Sequence, residues 1–535
     1  MTQSNHWVES AVFYQIYPAS FADSNSDGIG DLRGIVTHLD YLSGLGITGI
    51  WLNPCFASPF KDGGYDVADY YSVAPRYGTN DDLIALFSAA HERGIKVILD
   101  LVPGHTSEQH HWFSLSSEAT PNAYSDRYIW TSHAFDHGDG MPFIGGETPR
   151  DATYILNFFK SQPALNYGFA EITRPWQQPV DAPGPLANRR AMADVLKYWL
   201  AQGADGFRVD MADSLVKNDG TDKTKTITVW QDILAEVKAE FPDAFFVSEW
   251  GKPWQAVEAG FDADFYLDWR GNGYNHLVRN TDTALDRVND LSFFNSDSES
   301  TAKEFLDCYL PQLAQIQGRG FFSLISGNHD CPRLAPRLND AERKLFFTFL
   351  LSMPGVPFIY YGDEIGMTYR QLPTHEGGYA RTGSRTPMQW DSSKPNFGFS
   401  DAATDLLYLP VGDDPTISVT SQEGASGTML ETVRTLIGLR QQHPALGASA
   451  DVEFCSEDGN DEPHPKLLSF LRSTADETLL VVLNLHHHAV KHPIVSGSEN
   501  PIFSTGELPE IGELSITVPA LTAVILSSTQ GKDRS

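Results

Sequence analysis

Apolar residues in this chain come in short runs rich in β-branched and aromatic side chains, separated by stretches in which apolar positions recur with helical spacing. Eight of the runs fit strands: "AVFYQIYP", "GITGIWLNP", "KVILDLVP", "GFRVDM", "FFVSEW", "DADFYLDW", "FFSLISGNHD" and "VPFIYYGDE". Segments such as "NDDLIALFSAAHERG" and "RRAMADVLKYWLAQG" lie between them and end in glycine, as a helix C-cap does. Eight strands alternating with helices predict an α/β fold, a (β/α)8 TIM barrel with insertions. One connection is out of proportion. About 85 residues rich in Pro, Gly and aromatics separate "KVILDLVP" from a helix expected near Asn188, which is too long for a structureless loop. A small inserted domain after the third strand is expected there. Beyond about Ala448 the pattern changes to "TLLVVLNL" and "LSITVPALTAVIL", short alternating segments that predict a C-terminal antiparallel β-sandwich domain. The expected layout is a barrel over 1–104 and 176–447, an insertion over 105–175 and the β-sandwich over 448–535.

Composition narrows the partners. With 535 residues, 41% of them hydrophobic, the chain can bury a large core divided among two or three domains. Its 38 basic and 69 acidic residues leave a net charge of −31, which repels phosphate backbones and anionic membranes and so argues against nucleic-acid or membrane partners. "MTQSNHWVES" has no basic segment followed by an apolar run, and no stretch approaches about twenty uninterrupted apolar residues, so a cytoplasmic protein is expected. Cys55, Cys308, Cys331 and Cys455 are too scattered for a disulfide framework or a zinc site and read as reduced thiols. Nothing in the pattern fixes an oligomeric state.

Barrel enzymes carry their chemistry at the C-terminal ends of the strands, and here ionisable residues recur at those ends: His105, Arg208 with Asp210, Glu249, and His329 with Asp330. Arg208 and Asp210 are two apart on one strand and so point to the same side. An arginine beside Asp210 would keep it ionised, while a partly desolvated Glu249 would keep its proton. Two carboxyls in different states are what a retaining glycosidase needs, one attacking the anomeric carbon and the other protonating the leaving oxygen. Tyr17, Trp51, Tyr65, Phe158 and Trp250 offer aromatic faces for sugar rings. A second cluster lies in "DSNSDGIGD", where Asp23, Asn25, Asp27 and Asp31 alternate with glycines as in a calcium loop. The EF-hand pattern would place a glutamate where Gly34 stands, so the loop is either another kind of calcium site or an Asx-rich turn without an ion. His486, His487 and His488, expected on a strand, would point to opposite faces and hold no metal together.

Four segments in order, "DLVPGH", "GFRVD", "FVSEW" and "GNHD", resemble the four sequence regions of the alpha-amylase family of glycoside hydrolases. "GGYDVADYY", "QPALNY", "GVPFIYYGDEIGM" and "SRTPMQW" extend the resemblance to the oligo-1,6-glucosidase and alpha-glucosidase branch. The resemblance implies Asp210 as nucleophile, Glu249 as acid/base and Asp330 as a third carboxylate that binds the hydroxyls of the −1 sugar. It implies His105, Arg208 and His329 as further −1 contacts, Asp62 and Tyr65 as pocket floor and stacking aromatic, and Arg385 or Arg381 as Asp62's partner closing the pocket. It also implies a structural calcium held by Asp23, Asn25, Asp27, the Ile29 carbonyl and Asp31.

Three positions depart from the family pattern: Gly104 stands where an Asn usually precedes the histidine, Met211 follows the nucleophile, and Cys331 follows the third carboxylate. They leave the α-1,4 or α-1,6 preference open. Three readings follow. One is a retaining α-glucoside hydrolase acting on short linear or cyclic malto- or isomalto-oligosaccharides and releasing glucose or maltose. Another is a transglycosylase or isomerase of the trehalose synthase or sucrose isomerase type. The third, a non-catalytic barrel, is disfavoured by the presence of all three carboxylates.

Overall fold

Each of the eight apolar runs supplies one strand of a closed parallel barrel in the computed structural model, which describes residues 6–267, 271–280, 287–316, 318–377, 379–455, 465–494 and 498–528. The strands are β1 (Phe13–Ile16), β2 (Gly49–Leu52), β3 (Lys96–Leu101), β4 (Gly206–Val209), β5 (Phe245–Ser248), β6 (Ala263–Phe265), β7 (Phe321–Ser323) and β8 (Phe358–Tyr360). They pair in chain order; β8 returns to β1 with Phe358 opposite Phe13, and an Ile325–Phe358 bridge links the end of β7 to β8. Strands covered by helices outside and filled by side chains inside are buried on both faces, which is why they read as near-continuous apolar runs. Phenylalanines fill the interior: Phe13 stacks on Phe358 at 4.6 Å and Phe265 meets Phe358 edge-on at 4.8 Å. Gly206 permits the close approach of β4 to β5, since a Cβ there would lie 1.9 Å from the Phe245 carbonyl oxygen.

The helices follow their caps. Helix α1 (Asn80–His91) opens on a capping box between Thr79 and Asp82, buries Leu83, Leu86, Phe87 and Ala90, and is followed by Gly94 at φ +72°. Helix α2 spans Pro183–Ala201, starting before the expected Asn188 because Pro183 and Pro185 fall in the first turn, where no backbone N–H is needed. The long connection between β3 and α2 contains a helix at His111–Ser116 and a hairpin pairing Phe143–Gly145 with Thr153–Ile155. Ile129, Ile155, Ala164 and Phe169 give it a small core of its own.

At the C-terminus a five-stranded antiparallel sheet, centred on Thr478–Asn484, faces a three-stranded sheet across Leu480, Val482, Ile516, Val518 and Val524. Its other face supplies Phe470, Val481 and Ile525 to the same continuous core as the barrel. Arg472 and Lys466 fasten this layer by donating to the Gly447 carbonyl (2.7 Å) and the Phe293 carbonyl (2.7 Å). His486, His487 and His488 lie in a turn after Asn484 and not on a strand, so the opposite-face expectation is corrected. The rings of His486 and His488 approach to 4.8 Å, while His487 Nε2 lies 3.0 Å from Asp297. All four cysteines are free thiols.

Candidate active site

The barrel brings the ends of β3, β4 and β5 together around one buried guanidinium. Arg208, 2% exposed, donates from Nη1 to Asp100 Oδ1 (2.8 Å) and Asp210 Oδ1 (3.0 Å), and from Nη2 to Glu249 Oε2 (2.5 Å). Asp100 Oδ2 accepts in turn from the Tyr65 hydroxyl (2.9 Å) and Trp51 Nε1 (3.1 Å). Asp100 is the main residue that sequence reasoning missed, although it opens the motif "DLVPGH". Met211 turns the chain after Asp210 with φ +39°, a left-handed conformation unusual for a residue with a side chain, and its N–H donates to Glu249 Oε2 (3.2 Å).

A second group forms at the ends of β7 and β8. Asp330 Oδ1 accepts from Arg381 Nη1 (3.0 Å) and Arg385 Nη2 (3.1 Å), and its Oδ2 lies 3.2 Å from His329 Nε2. Arg381 reaches on through Nη2 to Asp62 Oδ1 (2.8 Å), whose Oδ2 takes a hydrogen bond from Gln162 (2.8 Å). Of the two arginines offered as Asp62's partner, Arg381 is the one in contact. Arg385 instead braces the strand end, donating from Nε to the His329 carbonyl (2.9 Å). Tyr65 stacks on the His329 ring at 5.1 Å and 8°.

A cavity of about 310 Å³ results, bounded by Asp62, Tyr65, His105, Asp210, Glu249, Asp330 and Arg381, with Phe158, Phe159 and Met211 completing the wall. Arg208, His329 and Arg385 stand behind this lining. Of the five aromatics named for sugar stacking, Tyr65 and Phe158 line the cavity. Tyr17, Trp51 and Trp250 are buried in the barrel wall, where Trp250 Nε1 donates to Gln255 (2.9 Å). His105 borders the cavity with both ring nitrogens engaged, Nε2 on the Tyr65 carbonyl (3.0 Å) and Nδ1 facing Asn157 (3.0 Å).

Charge is distributed unequally. Burial alone would raise the Asp330 carboxyl, but His329, Arg381, Arg385 and Arg208 outweigh it and hold it well below the carboxylate range. Asp210 moves the other way. Burial pushes it up against the pull of Arg208, and the Glu249 and Asp100 carboxylates push it further. Asp100 itself is raised to about 6 by burial. The pull of Arg208 towards the ionised form of Asp210 is thus opposed, because one guanidinium serves three carboxyls. Burial lowers His105 to about 4, which keeps its ring neutral.

The loop at Asp23–Asp31 is distant in role from this cavity. Its side chains cap the loop's own amides: Asp23 Oδ1 accepts from Ser26 N (2.8 Å), Asn25 Oδ1 from Asp27 N (2.9 Å) and Asp27 Oδ1 from Ile29 N (2.9 Å). Asp31 Oδ1 accepts from Gly34 N (2.7 Å) and caps the helix Leu32–Thr37. Hard oxygen donors of this kind fit Ca²⁺ in chemistry. In position, among the described residues no group of three or more His, Cys, Asp or Glu side chains is gathered closely enough to hold an ion.

The similarities to known proteins agree with this geometry. Residues 15–449 match the alpha-amylase catalytic domain. The trehalose synthase/amylase TreS of Mycobacterium tuberculosis is 33% identical, covering 95% of this chain and 88% of its own. The oligo-1,6-glucosidase of Parageobacillus thermoglucosidasius is 30% identical, covering 94% of each. Among solved structures, an inactive double mutant of MutB in complex with isomaltulose superposes with a TM-score of 0.80 at 27% identity, covering 97% of this chain and 99% of that one. Three carboxyls around one pocket at the C-terminal end of the barrel, and a family match over most of its length, make the chain a member of the alpha-amylase family and a glycosidase.

Proposed function

We propose that the protein takes the non-reducing glucose unit of a short α-glucoside into this pocket and cleaves the bond with retention of configuration. The observation that carries the reading is the pairing of Asp210 and Glu249 on one guanidinium at the mouth of a cavity closed behind by Asp62, Arg381 and Asp330. Carboxyls sharing one arginine suit the separation of about 5–5.5 Å that a retaining pair requires. Asp210 attacks the anomeric carbon as Glu249 gives its proton to the departing oxygen. Water, deprotonated by the same Glu249, then releases α-glucose. Asp330 with Arg381 grips the hydroxyls of the sugar as its ring distorts. Short linear or cyclic malto- and isomalto-oligosaccharides are the substrate class, and the carboxyl cluster does not distinguish their linkages. The test is a product profile on maltose, isomaltose, trehalose, sucrose and longer or cyclic glucans, with anomers followed by NMR. α-Glucose or maltose appearing first supports the reading; β-glucose, or no cleavage, ends it.

A second reading has specific support in the similarity to trehalose synthase/amylase TreS and to the trehalulose synthase MutB. In it a sugar hydroxyl, and not water, attacks the glycosyl-enzyme, and new disaccharides dominate the same profile. The Asp23–Asp31 loop is proposed in addition to bind a structural Ca²⁺ through Asp23, Asn25, Asp27, the Ile29 carbonyl and Asp31, on the strength of its donor series alone.

A further inference from the structure

Gly104 departs from the family's usual asparagine, and the structure shows what occupies the space. A Cβ at position 104 would stand 3.0 Å from Asn157 Nδ2 and meet only that amide within 4 Å. Gly104 is not among the glycines with positive φ, so the residue provides room and not an unusual backbone. The room is filled by Asn157, which comes from the inserted segment, 52 residues beyond His105. An amide nitrogen only donates, so His105 Nδ1, 3.0 Å from Asn157 Nδ2, is the bare nitrogen and Nε2 carries the proton given to the Tyr65 carbonyl. The orientation of the amide is set from its other end, where Oδ1 faces the Lys217 ammonium at 3.5 Å. Lys217 is fixed by donating to the Ser214 carbonyl (2.9 Å), close behind Asp210 in sequence. Tyr65, held at its carbonyl by His105, gives its hydroxyl to Asp100 and stacks on His329. The next residue along, Phe158, meets the His105 ring edge-on at 5.8 Å and walls the cavity.

We infer that Asn157 is a positioning residue of the active site: it supplies from the inserted segment the amide that position 104 lacks, fixes the His105 tautomer, and seats the Phe158–Phe159 wall. This assignment rests on the reading of the cavity as an α-glucoside pocket. The low basicity of buried His105 agrees with a ring that stays neutral and hydrogen-bonded in this tautomer.

The experiment is an exchange of the two positions. Asn157→Ala is expected to lower kcat/KM on the preferred α-glucoside about tenfold, the scale of a small misplacement of reacting groups, with kcat carrying most of the loss. Gly104→Asn alone is also expected to lower it, since two amides then contend for one space. Gly104→Asn with Asn157→Ala should recover to within a few fold of wild type; losses that multiply overturn the assignment. If Asn157→Ala fails to fold, Gly104→Ala presses on the same amide, and unaltered kcat and KM in that variant count against the role. An independent readout is ¹⁵N NMR of labelled histidines, with the His105 signal identified by its loss in His105→Gln. Protonated Nε2 and bare Nδ1 are expected in wild type, and both nitrogens protonated in Asn157→Asp, where the Tyr65 carbonyl and the new carboxylate each accept; a ring indifferent to residue 157 overturns the inference. Because this signal needs no turnover, failure of the glycosidase reading remains distinguishable from failure of this one.

Discussion

At the scale of single residues, the site works by sharing too few cations among too many carboxyls. Asp330 has Arg381, Arg385 and His329 around it, with Arg381 shared only with Asp62 at its other nitrogen, whereas Asp210, Glu249 and Asp100 divide Arg208 among them. Asp210→Asn is expected to abolish a trappable glycosyl-enzyme and lower kcat by about 10⁴-fold. Glu249→Gln should lose unactivated disaccharides yet still turn over a 4-nitrophenyl glucoside, whose leaving group needs no proton. Equal activity of Glu249→Gln and wild type on a disaccharide would overturn the pair of roles. Away from the site, Glu364 is buried with the hydroxyls of Tyr14 (2.8 Å) and Tyr41 (2.7 Å) on a single oxygen, and burial raises it from 4.5 to about 7. A carboxyl raised on folding contributes stability that is full below its unfolded value and is lost as pH climbs through the folded one. Glu364→Gln should thus flatten the fall in melting temperature between about pH 4.5 and 7; parallel curves for variant and wild type would refute it. Much at this scale is legible in the sequence, because strand ends carry the ionisable residues of the motifs. Arg381 and Arg385 show where legibility stops. They are four apart, and only folding decides that one reaches Asp62 and the other the His329 carbonyl.

At the scale of elements, short strands buried on both faces make the barrel readable, since continuous apolar runs of four to six residues fit little else. The inserted segment is not readable in this way. Its hairpin strands are three residues each and it is held by contacts with Gly104, Tyr65 and Lys217, which no local period encodes. Helix α2 begins before the expected Asn188 for a local reason, since Pro183 is a first-turn residue that needs no backbone N–H. The Asp23–Asp31 loop makes a prediction of its own. Asp27 is exposed and its carboxylate accepts from the Ile29 amide, so without an ion Asp27→Ala should cost a few tenths of a kcal/mol. If Ca²⁺ is bound, chelator lowers the melting temperature of the wild type by mass action, and Asp27→Ala reproduces that loss and is insensitive to chelator. Unchanged melting in both would leave the loop as a self-capped turn.

Over the whole molecule, the barrel and the C-terminal sheet share one core, with Phe349 and Phe470 meeting edge-on at 6.4 Å and Arg472 tying the Gly447 carbonyl to the sheet. Calorimetry should therefore give one cooperative transition across both; two resolved transitions would show independent units. The sequence announces two domains through its change of period, but not that they melt together, because a shared core is a property of facing surfaces. The bridge from Asp62 through Arg381 to Asp330 has a kinetic consequence. On the proposed reading, the glucosyl unit sits against this bridge with its leaving group on the open side, so the detached sugar and the incoming water contend for the same place. How long that sugar lingers then acts as a clock. On that reading a brief stay favours hydrolysis and a long one favours a new bond to a different sugar hydroxyl, with the same carboxyls serving both.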